Sequence, residues 1–220
     1  MLSLRLLGSP QTILDTRPIQ ISRRKSRALL YYLAAHPDPQ PREHLLPLLW
    51  PELDRAAAQQ TLRTTLYGLR KALPDHLQIT DTEISLSPDT ESDVLTFRNL
   101  QTPVTNYPTP QRACEVLTQT LVLYRGEFLE GFSLPDSVSY DDWQRTEAES
   151  YRRVTIRGYT TLSQLHETQG DYRLALDALA QALAFDPLQE DLQRAALRLH
   201  YFAGDRAGAI RRYDTLRKLL

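Results

Sequence analysis

The residues best suited to recognition chemistry gather between positions 60 and 71: Gln60, Arg63, Thr64, Tyr67, Arg70 and Lys71. At helical spacing, Gln60, Arg63, Thr64, Tyr67 and Lys71 share one face, with Arg70 on its edge. A guanidinium presents paired donors to guanine O6 and N7, and a carboxamide pairs with adenine N6 and N7. Hydroxyls and an ammonium group suit phosphate oxygens. Together these groups would serve a helix laid in the major groove of double-stranded DNA. A polar helix face taken alone is more often just solvated, so the neighbouring elements must decide between the two readings.

Those elements are in place. Leu2, Leu4 and Leu6 alternate with Ser3 and Arg5 as a strand that Gly8-Ser9-Pro10 ends. Ile19 and Ile21 suggest a second short strand after Pro18. Arg23 to Ala35 reads as a helix, stopped by His36-Pro37. Pro41 opens a second helix, with Leu45, Leu46, Leu48 and Leu49 as its apolar residues and Trp50-Pro51 closing it. The third helix runs from Asp54, an N-cap residue type, to Leu73. Ala58, Leu62, Leu66, Leu69 and Leu73 form its apolar stripe, opposite the polar face. Leu77 to Thr80 and Glu83 to Leu86 then alternate about Asp81-Thr82 as a hairpin. Strands, three helices and a hairpin make a winged helix-turn-helix.

The second part carries a repeat. Gly170-Asp171 recurs as Gly204-Asp205, His166 as His200, and Ala175 as Ala209, each 34 residues on. That is the tetratricopeptide period. Tyr159, Leu162, Gly170, Ala175, Leu179, Ala182 and Pro187 stand at that repeat's signature positions. Residues 111–124 read as a further helix, and residues 124–132 as a turn-rich connector. Val138 to about Gln169 reads as one long helix or two, with Trp143 as its core anchor. The prolines at 103, 108 and 110 mark residues 101–110 as the flexible stretch. The expected fold is therefore mainly α with a small β part: a winged helix-turn-helix domain over 1–91, then a tetratricopeptide-like all-α helical repeat domain over 92–220.

Other chemistry finds little support. Gly126 and Gly131 have phosphate-loop spacing, but Phe132-Ser133 follows them rather than Lys-Ser. Asp141 and Asp142 are adjacent and point different ways on a helix. No nucleophile–base constellation stands out, so no enzyme and no cofactor is expected. His166 and His200 hold the same repeat position, a packing role rather than a metal one. The single cysteine, Cys114, excludes an intramolecular disulfide and favours a reducing compartment. With no apolar run of about 18–20 residues and no leader pattern, the expectation is a cytoplasmic protein with no membrane partner. The 220 residues carry net charge −1. Residues 1–92 hold eleven basic and ten acidic residues, so any DNA affinity must come from local placement of charge.

Leu62-Arg63-Thr64-Thr65-Leu66-Tyr67-Gly68-Leu69-Arg70-Lys71-Ala72-Leu73 resembles the recognition helix of the bacterial antibiotic-regulatory, SARP-type, transcription activators. Leu49-Trp50-Pro51-Glu52 is similar to that family's tryptophan-containing turn. Ser92-Asp93-Val94 with Phe97 resembles the start of its bacterial transcriptional activation domain. Tyr124-Arg125-Gly126-Glu127-Phe128-Leu129, Asp142-Trp143, Asp186-Pro187 and Gly204-Asp205 continue the pattern in order. The resemblance implies an OmpR-type winged helix and an activator that binds promoter direct repeats. It also implies contact with RNA polymerase, including its sigma factor, and a homodimer on DNA. Carried over by position, Gln60, Arg63, Thr64 and Tyr67 would read bases. Arg70 and Lys71 would hold phosphates, with Arg23, Arg24 and Lys25 as further phosphate ligands. Gly68 departs from the pattern, standing where relatives often carry a polar residue. The terminal Leu219-Leu220 suggests a fragment, whose relatives often add a nucleotide-binding ATPase module. The alternative is a tetratricopeptide-like protein-interaction module of a larger signalling protein, with the winged helix as a partner-binding fold.

Overall fold

The computed structural model describes residues 1–101 and 106–219. The chain forms two compact units: Met1–Asn99 with Leu123–Glu149, and Leu100–Val122 with Ser150–Leu220. Pro103 of the expected flexible stretch and terminal Leu220 lie outside the described residues.

The first unit begins with a meander of three antiparallel strands, β1 (Leu2–Arg5), β2 (Gln11–Leu14) and β3 (Arg17–Ile19). Leu2, Leu4 and Leu6 point inward and are fully buried, as their alternation requires. The expected strand around Ile19 and Ile21 is corrected to β3, which ends at Ile19, and β2 was not anticipated. The reason is the turn. Asp15 and Thr16 both hold positive φ, 47° and 70°, as a two-residue hairpin demands, yet neither is the glycine that usually announces one.

Helix α1 (Arg24–Ala35) is buried without a break from Ala28 to Ala35. After β4 (Gln40–Pro41), Pro41 caps α2 (Arg42–Leu49) rather than opening its first turn. Its fixed φ suits either place. Helix α3 (Arg55–Ala72) follows, its Ala57 N–H donating 2.9 Å to the side chain of Asp54, as expected of that cap. Strands β5 (Leu77–Ile79) and β6 (Glu83–Leu86) form the expected hairpin, and β4 pairs with β6 to make a three-stranded sheet.

Strand β7 (Glu91–Ser92) returns to pair parallel with β1 and leads into α4 (Asp93–Arg98). Here a buried carboxylate joins three segments. Asp93 accepts from Leu6 N–H at 2.8 and 2.9 Å and from Leu7 N–H at 3.1 Å. Arg125 lies 3.5 Å from the same carboxylate. Burial pushes the Asp93 carboxyl above its usual range, against the pull of those donors. Residues 124–132 lie along the end of β1: Gly8 N–H donates to Glu127 and Leu129 N–H to Leu6, at 2.9 and 2.8 Å. Gly8 has φ +110°, and a Cβ there would stand 3.3 Å from Arg125 and Gly126. Only glycine serves both demands.

The long helix that follows residues 124–132 is α6 in chain order, because α5 (Pro110–Leu121) belongs to the second unit. Helix α6 (Val138–Thr168) is one continuous helix. In the first unit its Tyr140 is fully buried, with its hydroxyl donating 3.2 Å to the Ala28 carbonyl. Trp143, expected as a core anchor, is only half-buried, and its ring joins an aromatic cluster, 4.8 Å from Tyr32, 5.0 Å from Tyr140 and 5.6 Å from Phe128. His36 stacks on Tyr32 at 4.1 Å and donates from Nδ1 to the Tyr32 carbonyl.

In the second unit α6 continues to Thr168 and is followed by α7 (Tyr172–Phe185), α8 (Glu190–Phe202) and α9 (Arg206–Leu219). Ala175, Leu179, Ala182, Leu183, Leu192, Ala196 and Leu199 form its core. The 34-residue repeat has a backbone cause. Gly170 and Gly204 have φ +81° and +70°. Asp171 N–H donates to His166 O and Gly170 N–H to Glu167 O; Asp205 and Gly204 repeat this onto His200 and Tyr201. Both are Schellman caps that end one helix and aim the next.

Asp93→Ala strands two buried amides and Arg125. It is expected to cost about 3 kcal/mol or more in urea unfolding, the range for breaking a buried charge pair. His36 supplies the pH test. Burial lowers its pKa, so the unfolded chain binds the proton more tightly. Stability should therefore hold above about pH 7 and fall as pH drops through about 6.5. The loss in urea midpoint between about pH 7.5 and 5.5 should be smaller in His36→Gln than in wild type.

Candidate nucleic-acid interface

Helix α3 sorts its residues into two faces. Ala58, Leu62, Thr65, Leu66 and Leu69 are buried. Gln60, Arg63, Thr64, Tyr67, Arg70 and Lys71 are all exposed, and Tyr67 keeps 74% of its surface. At about 100° per residue the centres of the two sets lie on opposite sides of the helix. The helix carries Arg55, Arg63, Arg70 and Lys71 and no acidic residue. A locally cationic rod thus sits in a nearly neutral chain. With side chains it is about 10–12 Å across, the width of a DNA major groove.

Not every base on α3 is available. Arg55 Nε donates to Glu43 Oε2 and Gln59 Nε2 to Glu43 Oε1, each at 2.9 Å. The Arg55 hydrogen bond, then that from Gln59, holds the Glu43 carboxyl below its usual range. These contacts strap α2 to α3 and leave the outer face to the six candidates. Arg63 Nη1 lies 3.5 Å from Gln60 Oε1, and Thr64 Oγ1 donates 3.1 Å to the Gln60 carbonyl. The Thr64 oxygen keeps its lone pairs for a further partner.

The α1 candidates divide. Arg23 is the cap residue and Arg24 the first helical residue, and both are exposed. Lys25 is corrected. Its ammonium donates to the Leu49 carbonyl, pairs with Asp136 at 2.8 Å and Glu52 at 3.3 Å, and lies over the Trp50 ring at 5.9 Å. The Lys25 hydrogen bond depresses the Asp136 carboxyl. A lysine has three donors, and these partners engage all three. Lys25 therefore ties α1 to the Trp50 turn.

Sequence reasoning passed over Arg42. It begins α2, donates its N–H to the Thr82 carbonyl at 2.8 Å, and buries an Nε that has no partner among the described residues. With Arg63, Gln59 and Thr82 it lines a depression of about 360 Å3 between the helices and the hairpin turn. The signal was its place directly after a helix-opening proline. The hairpin itself brings exposed Asp81 and Glu83 and no lysine or arginine. Its turn is closed by Thr80, whose hydroxyl accepts from Glu83 N–H at 3.0 Å.

Elsewhere, His200 Nδ1 lies 3.0 Å from Asp205, which also caps α9 by accepting from Gly208 N–H. That pairing gives His200 a structural role. Among the described residues no cluster of three or more His, Cys, Asp or Glu is placed to hold a metal ion, and no helix is long and apolar enough to cross a membrane.

The arrangement defines a winged helix-turn-helix protein with an exposed basic face on α3, followed by tetratricopeptide-like helices. The chain belongs to the bacterial transcriptional activator domain family, which matches residues 93–220. This is a family of transcription regulators rather than a class of enzymes, as the resemblance of residues 62–73 and 92–97 led us to expect. Among solved structures the chain is similar to Mycobacterium tuberculosis EmbR in complex with a low-affinity phosphopeptide, with TM-score 0.75 and 21% identity. All of this chain is covered, and it spans 59% of that one. At this identity the likeness concerns the fold. No curated protein matches the chain.

Gly68 is exposed on α3, and a Cβ there would meet nothing within 4 Å. Gly68→Ala should therefore raise stability by about 1 kcal/mol, read as a higher urea midpoint with an unchanged slope.

Proposed function

We propose that the chain is a sequence-specific DNA-binding transcription activator that binds promoter direct repeats and recruits RNA polymerase, including its sigma factor. The observation that carries this reading is the outer face of α3, where six exposed recognition residues stand on a helix with no acidic side chain. Residues 1–91 form the DNA-binding domain and residues 92–220 the activation domain, in keeping with a family match that begins at residue 93. Gln60, Arg63, Thr64 and Tyr67 meet base edges. Arg70, Lys71, Arg23 and Arg24 meet phosphates, and Arg42 joins them at the start of α2. The protein works in the cytoplasm and pairs as a homodimer on DNA, one copy on each direct repeat.

The test is fluorescence anisotropy with upstream DNA, titrated with salt against scrambled competitor. Arg63→Ala should lose about 1–3 kcal/mol of specific binding and relax the preference at one base pair. Lys71→Ala should weaken binding to all sequences alike and flatten the salt slope by about one unit. Wild-type behaviour in both variants would remove α3 from the interface.

A further inference from the structure

The β2–β3 hairpin and the first turns of α1 enclose a pocket of about 420 Å3. That is within the range of small-molecule sites, about 300–1,000 Å3. Pro10, Pro18, Ile19 and Ile21 supply apolar wall. The inner lining is polar: Thr12 and Tyr31 are both buried. Burial holds the Tyr31 phenol above its usual pKa, so it stays protonated.

Arg27 completes the lining. Its guanidinium lies over the Phe132 ring at 5.6 Å, and its Nε is buried with no hydrogen-bond partner among the described residues. A buried donor left unmade costs free energy, and a ligand oxygen that accepts from it recovers that cost. None of the candidate DNA contacts is among the residues that line it. The pocket therefore has chemistry that the DNA-binding reading does not use.

We infer that this pocket is a binding site for a small organic carboxylate with a compact apolar body. One guanidinium neutralises one negative charge, and its planar fork matches a carboxylate in two parallel hydrogen bonds. A phosphate dianion would bring a second charge that no other cation in the lining meets. The proline and isoleucine walls exclude water from an apolar ring or branched chain. The inference stands independently of DNA binding.

The experiment is calorimetric and NMR titration of the full chain with benzoate, phenylacetate and cyclohexanecarboxylate, using benzamide and inorganic phosphate as controls. At least one carboxylate should bind saturably and shift the Ile19 and Ile21 methyl signals. Benzamide and phosphate should bind at least about tenfold more weakly. Arg27→Gln should weaken the carboxylate by about tenfold or more, and Ile19→Trp, which fills the pocket from its rim, should do the same. If Arg27→Gln fails to fold by circular dichroism, Ile19→Trp and the benzoate–benzamide contrast decide. The site is refuted by no saturable binding of any of the three carboxylates up to about 10 mM, by equal binding of benzamide, or by undiminished binding in the folded variants.

Discussion

The first unit depends on a carboxylate that is almost wholly withdrawn from water. Asp93 is 9% exposed and takes three hydrogen bonds from the amides of Leu6 and Leu7, with Arg125 beside it. Strand β1 would otherwise end at Arg5 with two unpaired amides facing the interior. Unpaired buried donors are costly, and an ionised acceptor satisfies several at once. The same carboxylate fixes where α4 starts and where residues 124–132 dock. The matched family begins at this very residue. The first residue of the family match is thus hydrogen-bonded to the end of β1 in the winged-helix unit.

That joint explains why the compact units differ from a cut drawn along the sequence. Residues 123–149 pack with the winged helix, supplying Tyr140 to α1 and Trp143 to the aromatic cluster. Helix α1 has a nearly continuous run of buried residues because it is covered on more than one side. Tyr140 covers it near Ala28, Phe132 meets Tyr31 at 5.2 Å, and Ser92 donates to the Ala34 carbonyl. A helix enclosed in this way is held in register from several sides.

Legibility in the sequence followed the range of the interactions. Helix α3, its cap and its two faces were readable because all of them repeat at 3.6 residues, and burial on one side leaves an unbroken stripe. The repeat glycines were readable for a similar local reason: each must take positive φ to close a cap. Strand β2 was hidden because its turn uses Asp15 and Thr16 in place of glycine. Lys25 was misread because its partners, Glu52 and Asp136, lie 27 and 111 positions away, and no local pattern reports such a pair. Arg42 was missed for the converse reason. Its setting is made by the Thr82 turn, which only the folded sheet brings to it.

The charge distribution carries the last step. A chain of net charge −1 has little long-range attraction for a polyanion, and the exposed acids of the hairpin turn oppose it locally. Around the candidate interface, the cations left exposed are those of α3 and of the start of α1, since Lys25 and Arg55 are engaged by acidic partners. Under the DNA-binding reading, few phosphates are neutralised per copy, so non-specific affinity is low and base contacts must supply much of the binding. A single copy of such a protein would hold its site weakly. Two copies on adjacent repeats double the base contacts and the neutralised phosphates, while a mismatch in either repeat costs about 1–3 kcal/mol. On that reading, weak general affinity and dependence on paired sites are one property, set by how few of the 26 basic residues face outward on α3.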